Sequence, residues 1–292
     1  MNGCDILYYG LIVAAVVMFG LQFFMNQDYE KKNGNDLPAS MVFIFGSSIA
    51  GFLVLLAINK FKFEFTYYTL FMAIITALNM IACIFCSLKS LARINLSLYS
   101  IFSMLGGMLL PFFVGTIFYD EKLTLAKVLC FVVVTLALAV TFQKGKSNKG
   151  FIYYAGIFVF NGLSGVLSTI FQKSAYEKTS AAGYSVLSAL MTVVIAGIFI
   201  LFNLKKTKMP ARNSYLSLAG NGILNKLANY LLLIALAHVP ASVQYPMVTG
   251  GVMIVSTILG FFTPNKPGKR EIISLVLSFV GIMLLVLVPD VW

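Results

Sequence analysis

Ten apolar stretches of membrane-spanning length run through the sequence, and the segments between them are too short to fold alone. The stretches cover residues 6–25, 41–58, 67–88, 96–118, 124–142, 151–172, 184–204, 214–237, 242–263 and 272–289. A bilayer core takes about 20 apolar residues per helix, and backbone polar groups in lipid must pair within the protein. Hydrophobic residues make up 60% of the chain and charged residues 11%. The sequence therefore predicts an all-α integral membrane protein with ten transmembrane helices.

The net charge of +11 lies almost wholly in the short connections between these stretches. Basic loops of this kind contact lipid headgroups or set membrane orientation, whereas nucleic-acid binding needs a basic face on a soluble fold. No P-loop motif is visible, so direct ATP drive is not expected. We also predict no enzyme, no cofactor and no metal site. The sequence has one histidine and scattered acids, and Cys83 and Cys86 lie within an apolar stretch as packing residues.

An internal repeat is visible when the chain is shifted by 145 residues. The shift superposes landmarks at corresponding places without a gap, among them Gly20 on Gly165, Gln27 on Gln172, Gly106 on Gly251 and Met108 on Met253. We therefore predict two repeats of five helices, residues 1–146 and 147–292. Because five is odd, the second copy enters the membrane inverted, as in many secondary transporters. Some channels also contain repeats, although no filter-like sequence is visible here.

Three segments of the first half resemble a known family. Residues 91–100 read LARINLSLYS, residues 106–115 read GGMLLPFFVG, and residues 120–124 read DEKLT. Together they are similar to the EamA type of the drug/metabolite transporter superfamily, with Asp120 where that family has Gly. The second copy departs further, since Lys266 falls on the position of Glu121. The resemblance implies a ten-helix carrier of small metabolites, amino acids or drugs, commonly an exporter in the cytoplasmic membrane.

The positions of the carboxylates in the sequence bear on the class of substrate. All ten lie in loops or at the ends of the predicted helices: Asp5, Asp28, Glu30, Asp36, Glu64, Asp120, Glu121, Glu177, Glu271 and Asp290. Proton-coupled export of cationic drugs usually relies on an acid buried in the membrane. The sequence therefore disfavours a multidrug exporter of cations.

Lys226 differs from the other basic residues because it lies near the middle of a predicted span. It is about 18 Å from either end of the eighth stretch, too far for its stem of about 6 Å to reach water. On a helical wheel Asn229, Asn225 and Asn221 lie at about −60°, −100° and −140° from it. We predict that Lys226 anchors an anionic or zwitterionic substrate and that the three asparagines orient it. Two alternatives stay open: the amides only bond neighbouring helices, or Lys226 is a proton-sensitive group that couples transport to protons.

Further candidate substrate-binding residues lie on other predicted helices. Asn161 shares a helical face with two serines, Asn79 lies near the repeat position of Asn225, and Gln22 is the main polar residue of the first stretch. Tyr99 and Tyr245 lie early in the fourth and ninth stretches. For each of these residues, ordinary hydrogen bonding between helices is an equally good interpretation.

The orientation in the membrane is predicted differently by two arguments. Connections on the side of the termini contain six Lys and Arg residues, and those on the opposite side contain fourteen. The positive-inside rule therefore places both termini outside, whereas the resemblance implies cytoplasmic termini. The function that we expect is alternating-access transport of a small molecule, with membrane lipid as the other partner. A lipid-handling protein or a multidrug exporter of the same fold remains the alternative.

Overall fold

The computed structural model describes residues 3–93, 96–119, 124–141, 151–262 and 266–287. Within these ranges the chain forms ten α-helices and two short 3₁₀ helices, Leu204–Lys206 and Arg212–Ser214, and no strand. The α-helices are α1 (Gly3–Asn33), α2 (Leu37–Ile58), α3 (Tyr67–Leu91), α4 (Leu96–Phe118), α5 (Leu125–Thr141), α6 (Phe151–Lys173), α7 (Ala181–Phe202), α8 (Tyr215–Ala235), α9 (Ala241–Gly260) and α10 (Lys269–Leu287). This confirms the predicted all-α class and the number of helices.

Several helices begin where a polar side chain caps the first turn. The side chains of Asp36, Thr66 and Ser180 accept hydrogen bonds from backbone N–H groups at the start of α2, α3 and α7. Such caps satisfy N–H groups that have no partner inside the helix. The clearest difference from the predicted bounds is α1, which continues to Asn33 rather than ending at residue 25. The last turns of α1 are polar and pack against α8. A hydropathy profile does not predict these turns as part of the helix because they are polar.

Among the residues that the structure describes, six helices meet the length and hydropathy of a membrane span. They are Ile6–Asn33, Leu37–Ile58, Tyr67–Leu91, Ile152–Lys173, Ala181–Phe202 and Ala241–Gly260, and shorter apolar helices cover Phe102–Phe118, Leu125–Ala137 and Ile272–Gly281. Helix α8 is not among them because it carries three asparagines and Lys226. Asn221 and Lys226 are buried against other helices. The polar content of α8 is therefore turned inward, as a lipid-facing bundle requires.

Helices from opposite halves of the chain interlock. Helix α4 packs against α6 and α9, α1 against α8 and α9, α2 against α7 and α8, α3 against α6 and α7, and α5 against α10. A shift of five helices maps each of these pairs onto another pair in the set or onto itself. The pattern agrees with two repeats. Their boundary at residues 146 and 147 lies outside the described residues and stays a prediction.

Glycines allow two of these interhelical contacts to involve the backbone directly. A Cβ atom at Gly222 of α8 would overlap the carbonyl oxygen of Ser47 on α2, and one at Gly106 of α4 would overlap that of Phe158 on α6. Small residues at such crossings let helices in membranes approach closely. Gly222 and Gly106 therefore fix the spacing of helix pairs that join the two halves.

We expect Gly222→Ala to destabilise the protein by about 1–3 kcal/mol, because the Ser47 carbonyl is backbone and cannot rotate away. Gly10→Ala is the matched control, since its Cβ would have no heavy atom within 4 Å. Alanine favours a helix over glycine by about 1 kcal/mol, so the control should be neutral or slightly stabilising. Thermal unfolding of the purified variants measures both. Equal melting temperatures for Gly222→Ala and the wild type would contradict the close contact.

Loop contacts join the halves at both ends of the bundle. At the end where α1 begins, the Glu64 carboxylate accepts hydrogen bonds from the Ser180 N–H at 2.7 Å and hydroxyl at 2.8 Å. At the opposite end, the Asn33 side chain accepts from the Ala211 N–H and donates to the Ser214 hydroxyl, both at 2.8 Å. We refer to these as the 64–180 contact and the 33–214 contact.

The backbone N–H of Ser180 is the main cause that holds the pKa of Glu64 below its ordinary value of 4.5. A lowered pKa means that the ionised carboxylate stabilises the folded state above pH 4.5, and that this contribution is lost as the pH falls through the lowered value. We expect Glu64→Gln to lower the melting temperature near pH 7 and to converge with the wild type in acid. A pH series of melting temperatures checks this. A difference that stays constant with pH would exclude the ionised contact.

Candidate functional site

A cavity of about 90 Å³ lies inside the bundle, walled by α1, α3, α4, α6, α8 and α9. Its aromatic and aliphatic wall includes Phe19, Phe23 and Leu232. Its polar lining residues are Gln22, Asn26, Ser87, Tyr99, Ser103, Asn161, Ser164, Ser168, Asn225, Asn229, Gln244, Tyr245 and Thr249. A concave site that combines an apolar wall with converging polar groups is typical of small-molecule sites. We refer to it as the main cavity.

Both halves of the chain supply corresponding positions to this wall. Tyr99 and Gln244 are 145 residues apart in the sequence and both line the cavity, as do Met104 and Thr249. The Thr249 hydroxyl donates a hydrogen bond to the Met104 carbonyl at 3.2 Å. Residues that the predicted repeat makes equivalent therefore meet where α4 crosses α9.

The polar residues of α8 lie in the main cavity, in a second cavity and in a contact with α1. Asn225 lines the main cavity, whereas Lys226 lines a second cavity of about 40 Å³, and Asn229 lines both. Asn221 is buried and donates to the Asn26 side chain of α1. The four residues predicted as one binding face thus point to different neighbours. Asn221 lines neither cavity and has a clear structural use.

Four other predicted binding residues line the main cavity. The Gln22 side chain accepts from Asn225 at 3.5 Å, and the Asn161 amide donates to the Ser103 carbonyl at 2.6 Å. Tyr99 and Tyr245 also line this cavity, and they hydrogen-bond to the Ser87 hydroxyl and the Gly165 carbonyl respectively. These contacts hold the side chains in place at the wall. Their role in binding stays a prediction.

Asn79 lies at the contact between α3 and α6, outside both cavities. Its amide donates to the Phe160 carbonyl at 2.9 Å and to the Ser164 hydroxyl at 2.8 Å, and its side chain lines neither cavity. It therefore ties α3 to α6, which is the interhelical use that the sequence left open.

Gln244 is a candidate that the sequence interpretation missed. It is 1% exposed, its amide nitrogen donates to the Leu232 carbonyl at 3.0 Å, and its amide oxygen has no hydrogen-bond partner among the described residues. A buried, unpaired acceptor is costly unless a ligand or water satisfies it. The repeat offset places Gln244 on Tyr99, so the signal was present in the sequence.

Charge in the two cavities comes from Lys226. Neither set of lining residues includes a carboxylate. Across the described parts of the chain, no group of three His, Cys, Asp or Glu side chains could hold a metal ion. Cys83 lines the main cavity, whereas the Cys86 sulfur packs at Gly156.

Residues 148–287 match the model of the EamA-like transporter family. Over these residues the match confirms the predicted resemblance to the EamA type of the drug/metabolite transporter superfamily. The match covers the second predicted repeat, whereas the resemblance in the sequence came from residues 91–124. An EamA-type protein is a multi-pass membrane transporter of small molecules, so the predicted family and general function are confirmed.

Solved structures support the fold. A chain described only as "Crystal structure of protein" is 13% identical to this one, with a TM-score of 0.68, and the similarity covers 97% of this chain and 96% of that chain. At that identity the likeness shows the fold alone. A comparison with curated proteins finds no match.

The position of Cys83 allows a direct test that the main cavity opens to water. In single-cysteine variants we expect a small, neutral thiol reagent to modify Cys83 about tenfold faster than the buried Cys86, because thiol modification requires access. Mass spectrometry of the intact protein gives both rates. Equal, slow labelling of both cysteines would show that the cavity does not open to water under those conditions.

Proposed function

We propose that this protein is a secondary transporter that moves a small anionic or zwitterionic metabolite, such as an amino acid, by alternating access. The observation that supports it is the main cavity, to which six helices from both halves contribute corresponding positions. Substrate sites of carriers with inverted repeats commonly lie between the two repeats. Export across the cytoplasmic membrane is the direction and location that the family favours.

The chemistry of the lining favours a substrate that carries negative charge. Gln22, Asn161, Asn225 and Asn229 supply amide groups to the main cavity, and Lys226 supplies a positive charge in the second cavity, which Asn229 also lines. A cationic substrate would find no carboxylate among the lining residues. We propose that these amides, with Tyr99 and Tyr245, orient the polar groups of the substrate. Asn221 and Asn79 hold helices in place rather than contact substrate.

The 64–180 and 33–214 contacts give alternating access a physical basis. Each contact joins loops from opposite halves at one end of the bundle. Opening either end requires those hydrogen bonds to break while the other end stays closed. Rocking of one half against the other around the main cavity would do this.

Two alternatives use the same fold. The apolar wall at Phe19, Phe23 and Leu232 also suits a lipid chain or a lipophilic drug. A lipid-handling protein would retain lipid in the main cavity after purification. A multidrug exporter would be stabilised by lipophilic compounds rather than by amino acids and small acids.

Counterflow in liposomes tests the proposal. The purified full-length protein is reconstituted, and uptake of radiolabelled amino acids and small carboxylic acids is measured against an internal excess of the same compound. Saturable counterflow of at least one such compound is expected. Counterflow only of lipophilic cations, or none at all from correctly folded protein, would overturn the proposed substrate class.

For a transported compound, we expect Gln22→Leu to raise KM roughly 3- to 10-fold, the loss of one neutral hydrogen bond. The change should spare the fold because the one hydrogen bond found for the Gln22 side chain among the described residues is long, at 3.5 Å. Gln27→Leu is the matched control, since Gln27 is buried on the same helix and lines neither cavity. An equal KM in both variants would remove Gln22 from the binding site.

A further inference from the structure

Lys226 lies in a chamber of its own beside the main cavity. This second cavity, of about 40 Å³, is lined by residues of α2, α3, α6, α7 and α8. The stem of Lys226 passes Gly51 of α2, where a Cβ atom would overlap its Cγ. The absence of a side chain at Gly51 therefore leaves the path along which the lysine reaches the chamber. We refer to this space as the Lys226 chamber.

Hydroxyl groups form most of the polar lining of the Lys226 chamber. The Thr76 and Tyr184 hydroxyl oxygens are 2.6 Å apart. One of their two hydrogens lies between the oxygens, so the other is free to donate. The Ser185 and Ser188 hydroxyls donate to helix carbonyls at 2.8 Å and 3.0 Å. Rotation about one side-chain bond would redirect either serine to a ligand, since those carbonyls also take part in the helix.

The amine of Lys226 has no hydrogen-bond or salt-bridge partner among the described residues, and its side chain is 8% exposed. The residues that line the chamber include no carboxylate. A buried cation without a counter-charge is strongly unfavourable, whereas one paired with an anion and flanked by hydroxyl donors is tolerated. The chamber thus contains one positive group and several donors, and lacks only an acceptor.

We propose that the Lys226 chamber binds a small anion, either the carboxylate group of the transported molecule or a free anion of similar size such as chloride. A volume of about 40 Å³ suits a group of a few atoms rather than a whole metabolite. Asn229 and two serines of α6 line both cavities, so a carboxylate in the chamber can belong to a molecule whose remainder lies in the main cavity. The carboxylate source rests on the proposed function, whereas the free-anion source does not.

The predicted repeat indicates that each chain has one such anion site. The position equivalent to Lys226 in the first half is Ile81, 145 residues earlier. The matching place in the inverted half therefore has no cation. One anion per chain is the expected stoichiometry.

Thermal stabilisation of the purified full-length protein tests the proposal. Sodium gluconate, which is too large for the chamber, is replaced stepwise by sodium chloride or sodium acetate at constant ionic strength. Binding to the folded state should raise the melting temperature saturably by mass action. Lys226→Met keeps the stem and removes the charge, so it should abolish the rise. Lys205→Met, at an exposed lysine, is the matched control and should respond as the wild type does.

Serine variants keep the test decisive if Lys226→Met fails to fold. Ser185→Ala combined with Ser188→Ala leaves the lysine in place and should weaken anion binding roughly 3- to 10-fold, as expected for lost hydroxyl donors. Its melting temperature in gluconate should stay near that of the wild type. Unchanged anion affinity in this double variant would overturn the proposed chamber lining.

The two anions distinguish the sources. Saturable stabilisation by acetate, lost when a transported substrate is present, assigns the chamber to a substrate carboxylate. Stabilisation by chloride that persists with saturating substrate assigns it to a free anion. No saturable response to either anion in the wild type, or an equal response in Lys226→Met, overturns the proposal. Because counterflow is measured separately, anion binding without transport would contradict the proposed function and leave this site intact.

Discussion

Backbone contact between helices of opposite halves determines the geometry of this protein. Lipid tails are as apolar as leucine, so helices in a membrane associate through close packing rather than through the hydrophobic effect. Gly222 packs against Ser47 and Gly106 packs against Phe158. At both crossings the two helices lie closer together than a side chain at the glycine would permit. These contacts set the depth and rotation of α8 and α6, and so place Asn225 and Asn161 in the cavity wall. The space inside the bundle is what these crossings leave open.

Hydropathy and spacing predict the helices because lipid imposes one simple requirement on every span. The same reasoning finds Lys226, since a cation in mid-helix stands out against an apolar background. It does not tell which neighbour each polar residue meets. The wheel already placed Asn221 about 140° from Lys226, and in the bundle that angle separates the contact with α1 from the contact with α2. Which helices pack against α8 is a tertiary property that one helix cannot encode.

Gln244 shows the opposite case, in which the sequence held a signal that polarity alone concealed. A glutamine beside Tyr245 is not distinctive within an apolar helix. The repeat identifies Gln244 as a candidate, because the offset of 145 residues places it on Tyr99. Both side chains line the main cavity. Internal symmetry therefore identifies cavity positions that composition does not. The same offset relates Thr249 to Met104, and the structure joins these two residues by a hydrogen bond.

The two halves match in architecture and differ in chemistry. Lys226, Asn225 and Asn229 have Ile81, Met80 and Ile84 as their equivalents in the first half. A ligand that follows charge is drawn away from the pseudo-symmetry axis toward α8. The states open to either side of the membrane then present unlike surroundings to the same molecule. A carrier built this way would have a different KM on each side of the membrane, while the gradients alone would set the direction of net movement.

If the amine of Lys226 moves along the membrane normal during transport, its charge would make that step sensitive to the membrane potential. One charge that crosses the whole membrane changes its energy by about 2.3 kcal/mol per 100 mV. A cation near the middle of α8 that shifts by part of that distance experiences a fraction of this energy. A bound anion neutralises the site and removes the effect. Voltage would then act on the return of the empty carrier and leave the loaded carrier largely unaffected, so the electric field, rather than the concentration of substrate, would set the rate of resetting.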